Sequence, residues 1–199
     1  MTNLSKKIMS LLVFSLCAAS PVLAVSKKKQ QQFLKDAANG STQKVQKALD
    51  RGMPLDLRNQ NGRTALHIAT TSIRPRTALL LLKRGASPHA IDKHGHTPLH
   101  LAVDRSTEIS KMLLQFGANP YIRNMCKQTV IHAAAEGLEP QILKTIIGEG
   151  CDIEKRDIKG KTSLQHAADD PISCAFATTK LLDAGADISE SHQADWHCW

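Results

Sequence analysis

Nine histidines and five cysteines stand in a chain of 199 residues, which puts metal binding and proton transfer first among the chemistries to weigh. A neutral imidazole ligates transition metals and also titrates close to physiological pH. Two stretches crowd such side chains together. One holds His89, His94 and His96 beside Asp92; the other holds His192, His197 and Cys198. A tetrahedral metal site needs four N, S or O ligands converging on one point. The first stretch has only Asp92 to complete its set and reads better as a turn that faces a ligand. The second contains Trp196 and Trp199, the two tryptophans of the chain, which suit an apolar cover over the last structural unit. A further three, His67, His100 and His132, are 33 and 32 residues apart in matching surroundings. Equal phase spreads them along a structure, whereas catalysis needs convergence. Neither a nucleophile arrangement nor a phosphate loop is present, and Gly148-Glu149-Gly150 reads as a helix stop. The sequence predicts no enzyme, no metal and no cofactor.

The surroundings of those three histidines repeat. The fragment Thr-x-Leu-His-x-Ala stands as Thr64–Ala69, Thr97–Ala102, Thr129–Ala134 (with Ile131 for Leu) and Thr162–Ala167, where Gln165 takes the place of His. Its threonines are 33, 32 and 33 residues apart, and Gly52, Gly85, Gly117, Gly150 and Gly185 keep the same beat behind apolar pairs such as Leu81-Leu82 and Leu113-Leu114. A period near 33 predicts a solenoid, in which each unit hides its apolar face only against its neighbours. Each Thr suits a helix N-cap, Pro98 a first helical position, the Ala five residues on a close helix approach, and the Gly a left-handed stop. Polar stretches such as Asp92–His96 predict projecting turns. Lys127 stands where Gly62, Gly95 and Gly160 stand elsewhere, so that turn is strained or differently shaped.

These residues resemble the ankyrin repeat, over roughly residues 26–190 and best over 93–124. The resemblance implies an all-α solenoid of about five helix-turn-helix units with projecting β-turn fingers. Its expected organisation is a signal peptide over 1–24, an N-terminal capping repeat over 25–60, repeats over 61–92, 93–124, 125–157 and 158–190, and a tail over 191–199. The first unit lacks the Thr-x-Leu-His start, as a terminal repeat facing water does.

The leader reading rests on Lys6 and Lys7, an uncharged apolar run from Ile8 to Ala19, and small residues up to Ala24; that is the layout of a cleaved secretory signal. The alternative is an uncleaved anchor at the lower length limit for crossing a bilayer. Cleavage would remove two lysines and no acids, taking the formal charge from +8 to +6. Four cysteines would remain, and export permits disulfides; Cys174 with Cys198 is the expected pair if one forms, while Cys151 fills a slot held by Ala in other copies. Base-stacking aromatics are scarce, which argues against nucleic acid.

Aligning the copies places partner-facing residues on the turns and on the inner side of each first helix. The turn set is Arg63, Lys93, His94, His96, Lys127, Gln128, Lys159 and Lys161, accompanied by Gln60, Asn61, Met125, Cys126 and Ile158. Seven residues after each Thr lie Thr71, Asp104, Glu136 and Asp169. A basic outer row above an acidic inner row would select a partner of complementary charge. The expected function is protein binding by a monomer in the periplasm or medium, without stable membrane insertion; a secreted effector that engages host proteins and, last, a metal-dependent enzyme on the His-rich turn or tail are the alternatives.

Overall fold

A computed structural model describes residues 26–137, 140–169 and 174–187. Among the described residues ten helices run in order: α1 (Lys27–Asn39), α2 (Thr42–Asp50), α3 (Ala65–Thr71), α4 (Pro75–Lys83), α5 (Pro98–Ala102), α6 (Thr107–Gln115), α7 (Val130–Glu136), α8 (Pro140–Gly148), α9 (Ser163–Asp169) and α10 (Cys174–Asp183). No strand occurs among the described residues. Each odd-numbered helix packs on the even-numbered helix after it and on the odd-numbered helix of the next unit; even-numbered helices stack likewise. The described residues thus form a two-layered helical solenoid of five helical pairs, the architecture that the ankyrin resemblance implies.

Local sequence explains each pair. Thr64, Thr97 and Thr129 sit at the N-caps in extended backbone, and Pro98 fills the first position of α5. The alanines of the repeated fragment, Ala69, Ala102, Ala134 and Ala167, are at most 1% exposed, so any larger side chain would drive the stacked helices apart. In α6 the buried face comprises Ile109, Ser110 and Leu113, one stripe of a helix of period 3.6. Leu81, Leu113, Ile146 and Leu181, one from each second helix after the first, are fully buried in a continuous core. Each contributes roughly 1.5–3 kcal/mol of transfer free energy. Cys151 joins that core, and burial, with Glu149 adding to it, pushes its thiol up to about 11.

Candidate protein-interaction surface

Four turns project from one edge of the stack, and all are built alike. An Asn or Asp opens each one. Asn59 Oδ1 accepts the N–H groups of Asn61 and Arg63 at 2.9 and 3.0 Å, and Asp92 Oδ1 those of His94 and His96 at 2.8 and 3.0 Å. Asn124 Oδ1 accepts from Gln128 at 2.9 Å, and Asp157 Oδ1 from Lys159 and Lys161 at 2.7 and 2.9 Å. Each of these four opening residues also donates its own backbone N–H to the carbonyl four residues on, at 2.9 Å, so side chain and backbone close the turn together. Each finger is then tied to the next, through Lys93 N–H to the Asn61 carbonyl (3.0 Å), Met125 N–H to His94 (3.0 Å) and Ile158 N–H to Cys126 (2.8 Å). Arginines brace the row: Arg58 donates to the carbonyls of Gly62 and Ile91, and Arg123 to those of Lys127 and Arg156. The fingers therefore form one connected ribbon.

Close approach dictates Gly95. A Cβ there would lie 2.8 Å from Met125 N, at a φ of +77°. Lys127 adopts φ 58° and keeps the same turn, its N–H reaching the Asn124 carbonyl at 2.9 Å. Of the two alternatives open at that site, strain without change of shape is the one observed.

The expected contact residues divide into two groups. Lys93, His94, Lys127 and Lys159 are exposed on the finger tips, accompanied by Met125 and Ile158 at 68% and 61% exposure. Others turn toward the protein. Arg63 Nε pairs with the buried Asp92 at 3.2 Å, Lys161 with Asp169 at 2.5 Å, and Gln128 Oε1 accepts from Asn124 Nδ2 at 3.0 Å. His96 is half-buried, with its ring centroid 6.0 Å from that of His94. Thr71 donates its hydroxyl to the His67 carbonyl. Asp104 and Glu136 remain exposed and border a hollow of about 300 Å³ with Leu101 and Ala133. Burial raises the Asp104 carboxyl; Arg105 opposes that and Glu136 reinforces it. Asp92 is held below its usual range: burial alone would raise it, but the N–H groups of His94 and His96 and the Arg63 guanidinium prevail.

The repeated histidines are structural. His67 Nδ1 accepts the Thr64 N–H at 3.2 Å, and its Nε2 reaches the His96 carbonyl of the next finger at 3.1 Å. His100 and His132 take the N–H groups of Thr97 and Thr129 in the same way, at 3.3 and 3.2 Å. Desolvation lowers all three rings, His100 to about 4. Gln165 reproduces the cap with an amide, its Oε1 accepting the Thr162 N–H at 2.8 Å; Thr-x-x-Gln is itself a capping box.

One constellation escapes the alignment. His166 bridges two units, with Nδ1 2.5 Å from Glu136 Oε1 and Nε2 3.0 Å from Asp157 Oδ2. The Glu136 hydrogen bond, against desolvation and helped by Asp157, raises its pKa. Its signal in the sequence was a histidine displaced by one position from the repeated slot. Among the described residues no group of three or more His, Cys, Asp or Glu side chains is disposed to hold a metal ion, and no helix is long and apolar enough to cross a membrane. The leader, the Cys174 side chain, Cys198 and the tail with its histidines and tryptophans lie outside the described residues.

Comparison with known proteins agrees with this architecture. A family model described as ankyrin repeats (3 copies) matches residues 33–124. The chain is 35% identical over 124 residues to human B-cell lymphoma 3 protein, covering 59% of this chain and 27% of that protein. It is 35% identical over 159 residues to human ankyrin repeat and SOCS box protein 16, covering 75% and 35%. A Caenorhabditis elegans homolog of the transient receptor potential cation channel subfamily A member 1 is 31% identical over 150 residues, covering 74% and 12%. The chain thus spans about a third or less of the length of these relatives.

Proposed function

Because the chain is an ankyrin-repeat solenoid with a rigid row of fingers, we propose that it is a non-enzymatic module that binds a partner protein on its finger and inner-helix face. The observation that carries this reading is the pair Met125 and Ile158, 68% and 61% exposed on turns held rigid by inter-finger hydrogen bonds. Exposed apolar side chains on a pre-organised frame cost little entropy to bury and would form the centre of an interface. Lys93, Lys127 and Lys159 surround them and would steer a partner of opposite charge. Ankyrin repeats serve protein binding in general, and this surface supports the same use here.

Within that reading the protein acts in the periplasm, exported on residues 1–24, and scaffolds, protects or inhibits its partner. The support for export is the basic, apolar and small-residue order of that leader. Fractionating cells and medium tests it: protein shortened at Ala24 in the periplasm is the expected result, and accumulation in the medium would turn the reading to a secreted effector. Cross-linked capture from the exporting cell tests the surface. Met125→Asp with Ile158→Asp should weaken retention of the partner by more than about tenfold, and Lys93→Glu with Lys127→Glu and Lys159→Glu should weaken it too. Unchanged capture by both variants would dismiss the finger face.

A further inference from the structure

The inner face changes chemistry along its length. At its N-terminal end α1 and the first finger enclose an open hollow of about 710 Å³ with a floor of Leu34, Ala38 and Ile68. Its charged lining residues are Lys27, Lys35 and Arg58, and no carboxylate of the described residues lines it. Asp36, the acid of α1, is buried and bonded to Gln32 Nε2 at 3.0 Å, away from that lining. Side-chain amides complete the walls, with Gln31, Gln60 and Asn61 exposed. Farther along the same face the corresponding hollow is edged by Asp104 and Glu136, but each acid is paired, Asp104 with Arg105 at 3.5 Å and Glu136 with His166 at 2.5 Å. The groove is therefore cationic at its N-terminal end, whereas the acids of its middle are matched by Arg105 and His166.

We propose that the N-terminal hollow receives an extended partner segment in which carboxylate and apolar side chains alternate. The proposal rests on the protein-binding reading and names the partner chemistry at this end of the face. An extended chain points successive side chains to opposite sides. Apolar groups at every second position would meet the floor of Leu34, Ala38 and Ile68, and the carboxylates between them would meet Lys27 and Lys35 on the rim. The amides of Gln31, Gln60 and Asn61 supply donors and acceptors for the backbone of the segment, which a surface of charges alone would leave unpaired. A basic segment is disfavoured here by like charge.

Fluorescence anisotropy with the full chain and two short labelled peptides, one alternating Glu with Leu and one Lys with Leu, tests this. The Glu/Leu peptide should bind the wild-type protein in preference to the Lys/Leu peptide, and its affinity should fall as salt is raised. Lys27→Glu with Lys35→Glu should weaken the Glu/Leu peptide about tenfold and strengthen the Lys/Leu peptide. Both lysines are exposed, and an unchanged helical circular dichroism spectrum establishes that the variant is folded; Arg58 is left intact because it braces two finger carbonyls. No binding of the Glu/Leu peptide, equal binding of both peptides, or affinity unaltered by the double reversal would overturn the proposal. Partner capture that depends on Met125 and Ile158 would survive any of those results, so failure of the hollow and failure of the finger face are separable.

Discussion

The junctions around His67, His100 and His132 and the junction around His166 use the same side chain for opposite ends. In the first three, Nδ1 accepts a backbone N–H, so the ring must be neutral and carry its proton on Nε2. In the last, both nitrogens face carboxylate oxygens, of Glu136 and Asp157. A carboxylate only accepts, so a ring that satisfies both donates twice and is charged. One step along a helix, with Gln165 keeping the cap, converts a neutral structural histidine into an ionic clasp between units. The fold therefore does not need histidine at the repeated slot; it needs an acceptor for the Thr N–H.

That conclusion is open to a direct attack at His100, which is 4% exposed. His100→Ala removes the acceptor, orphans the buried Thr97 N–H and leaves a void. It should cost about 2–4 kcal/mol in urea unfolding. His100→Gln supplies an amide oxygen in the manner of Gln165 and should recover most of that loss. Equal losses in the two variants would show that the ring, through its packing or its Nε2, is what the junction requires.

The clasp is sharpened by titration. The pKa of His166 is raised by Glu136 and Asp157, so the contribution of the ring is complete below the ordinary histidine value of about 6.5 and fades as pH rises through the folded value. His67, His100 and His132 are lowered, so their contribution is present above about 6.5 and fades as pH falls through their folded values, about 4 for His100. His132 meets the His166 ring edge-on at 5.4 Å and is itself lowered in part by that charge. His166→Gln should remove on the order of 1 kcal/mol at mildly acidic pH and less in mild alkali. A loss independent of pH would reduce the clasp to simple packing.

The comparison also shows what a linear reading can reach. Period, cap, buried alanines and helix stops are local or exactly repeated properties, so Thr97, Ala102 and Leu113 declare their roles in the sequence. The finger residues lie on turns that the repeat makes legible for the same reason, but their pairings are not legible. Arg63 with Asp92 and His166 with Glu136 join positions 29 and 30 residues apart, and no periodic signal marks which side chain of a polar turn folds back. The N-terminal hollow has no signal in the sequence for a different reason: α1 lacks the repeated fragment, so no periodic mark identifies its facing positions. Met125 and Ile158 were legible as turn residues; their exposure followed only from the ribbon that holds the turns out.

The smallest expected effect sets stability against binding at one residue. Lys127 occupies the left-handed region at φ 58°, where Gly62, Gly95 and Gly160 have φ 73°, 77° and 78°. A side chain in that region costs roughly 1 kcal/mol, and glycine gives back part of the gain through its freer unfolded chain. Lys127→Gly should therefore stabilise the fold by about 0.5 kcal/mol, seen as a small rise in the urea midpoint at unchanged m-value. If Lys127 is retained for its exposed ammonium, the same variant should capture the partner less well. A more stable protein that binds less would show strain tolerated for contact; a variant neutral in both measurements would remove Lys127 from the surface and leave the turn without a reason for departing from glycine.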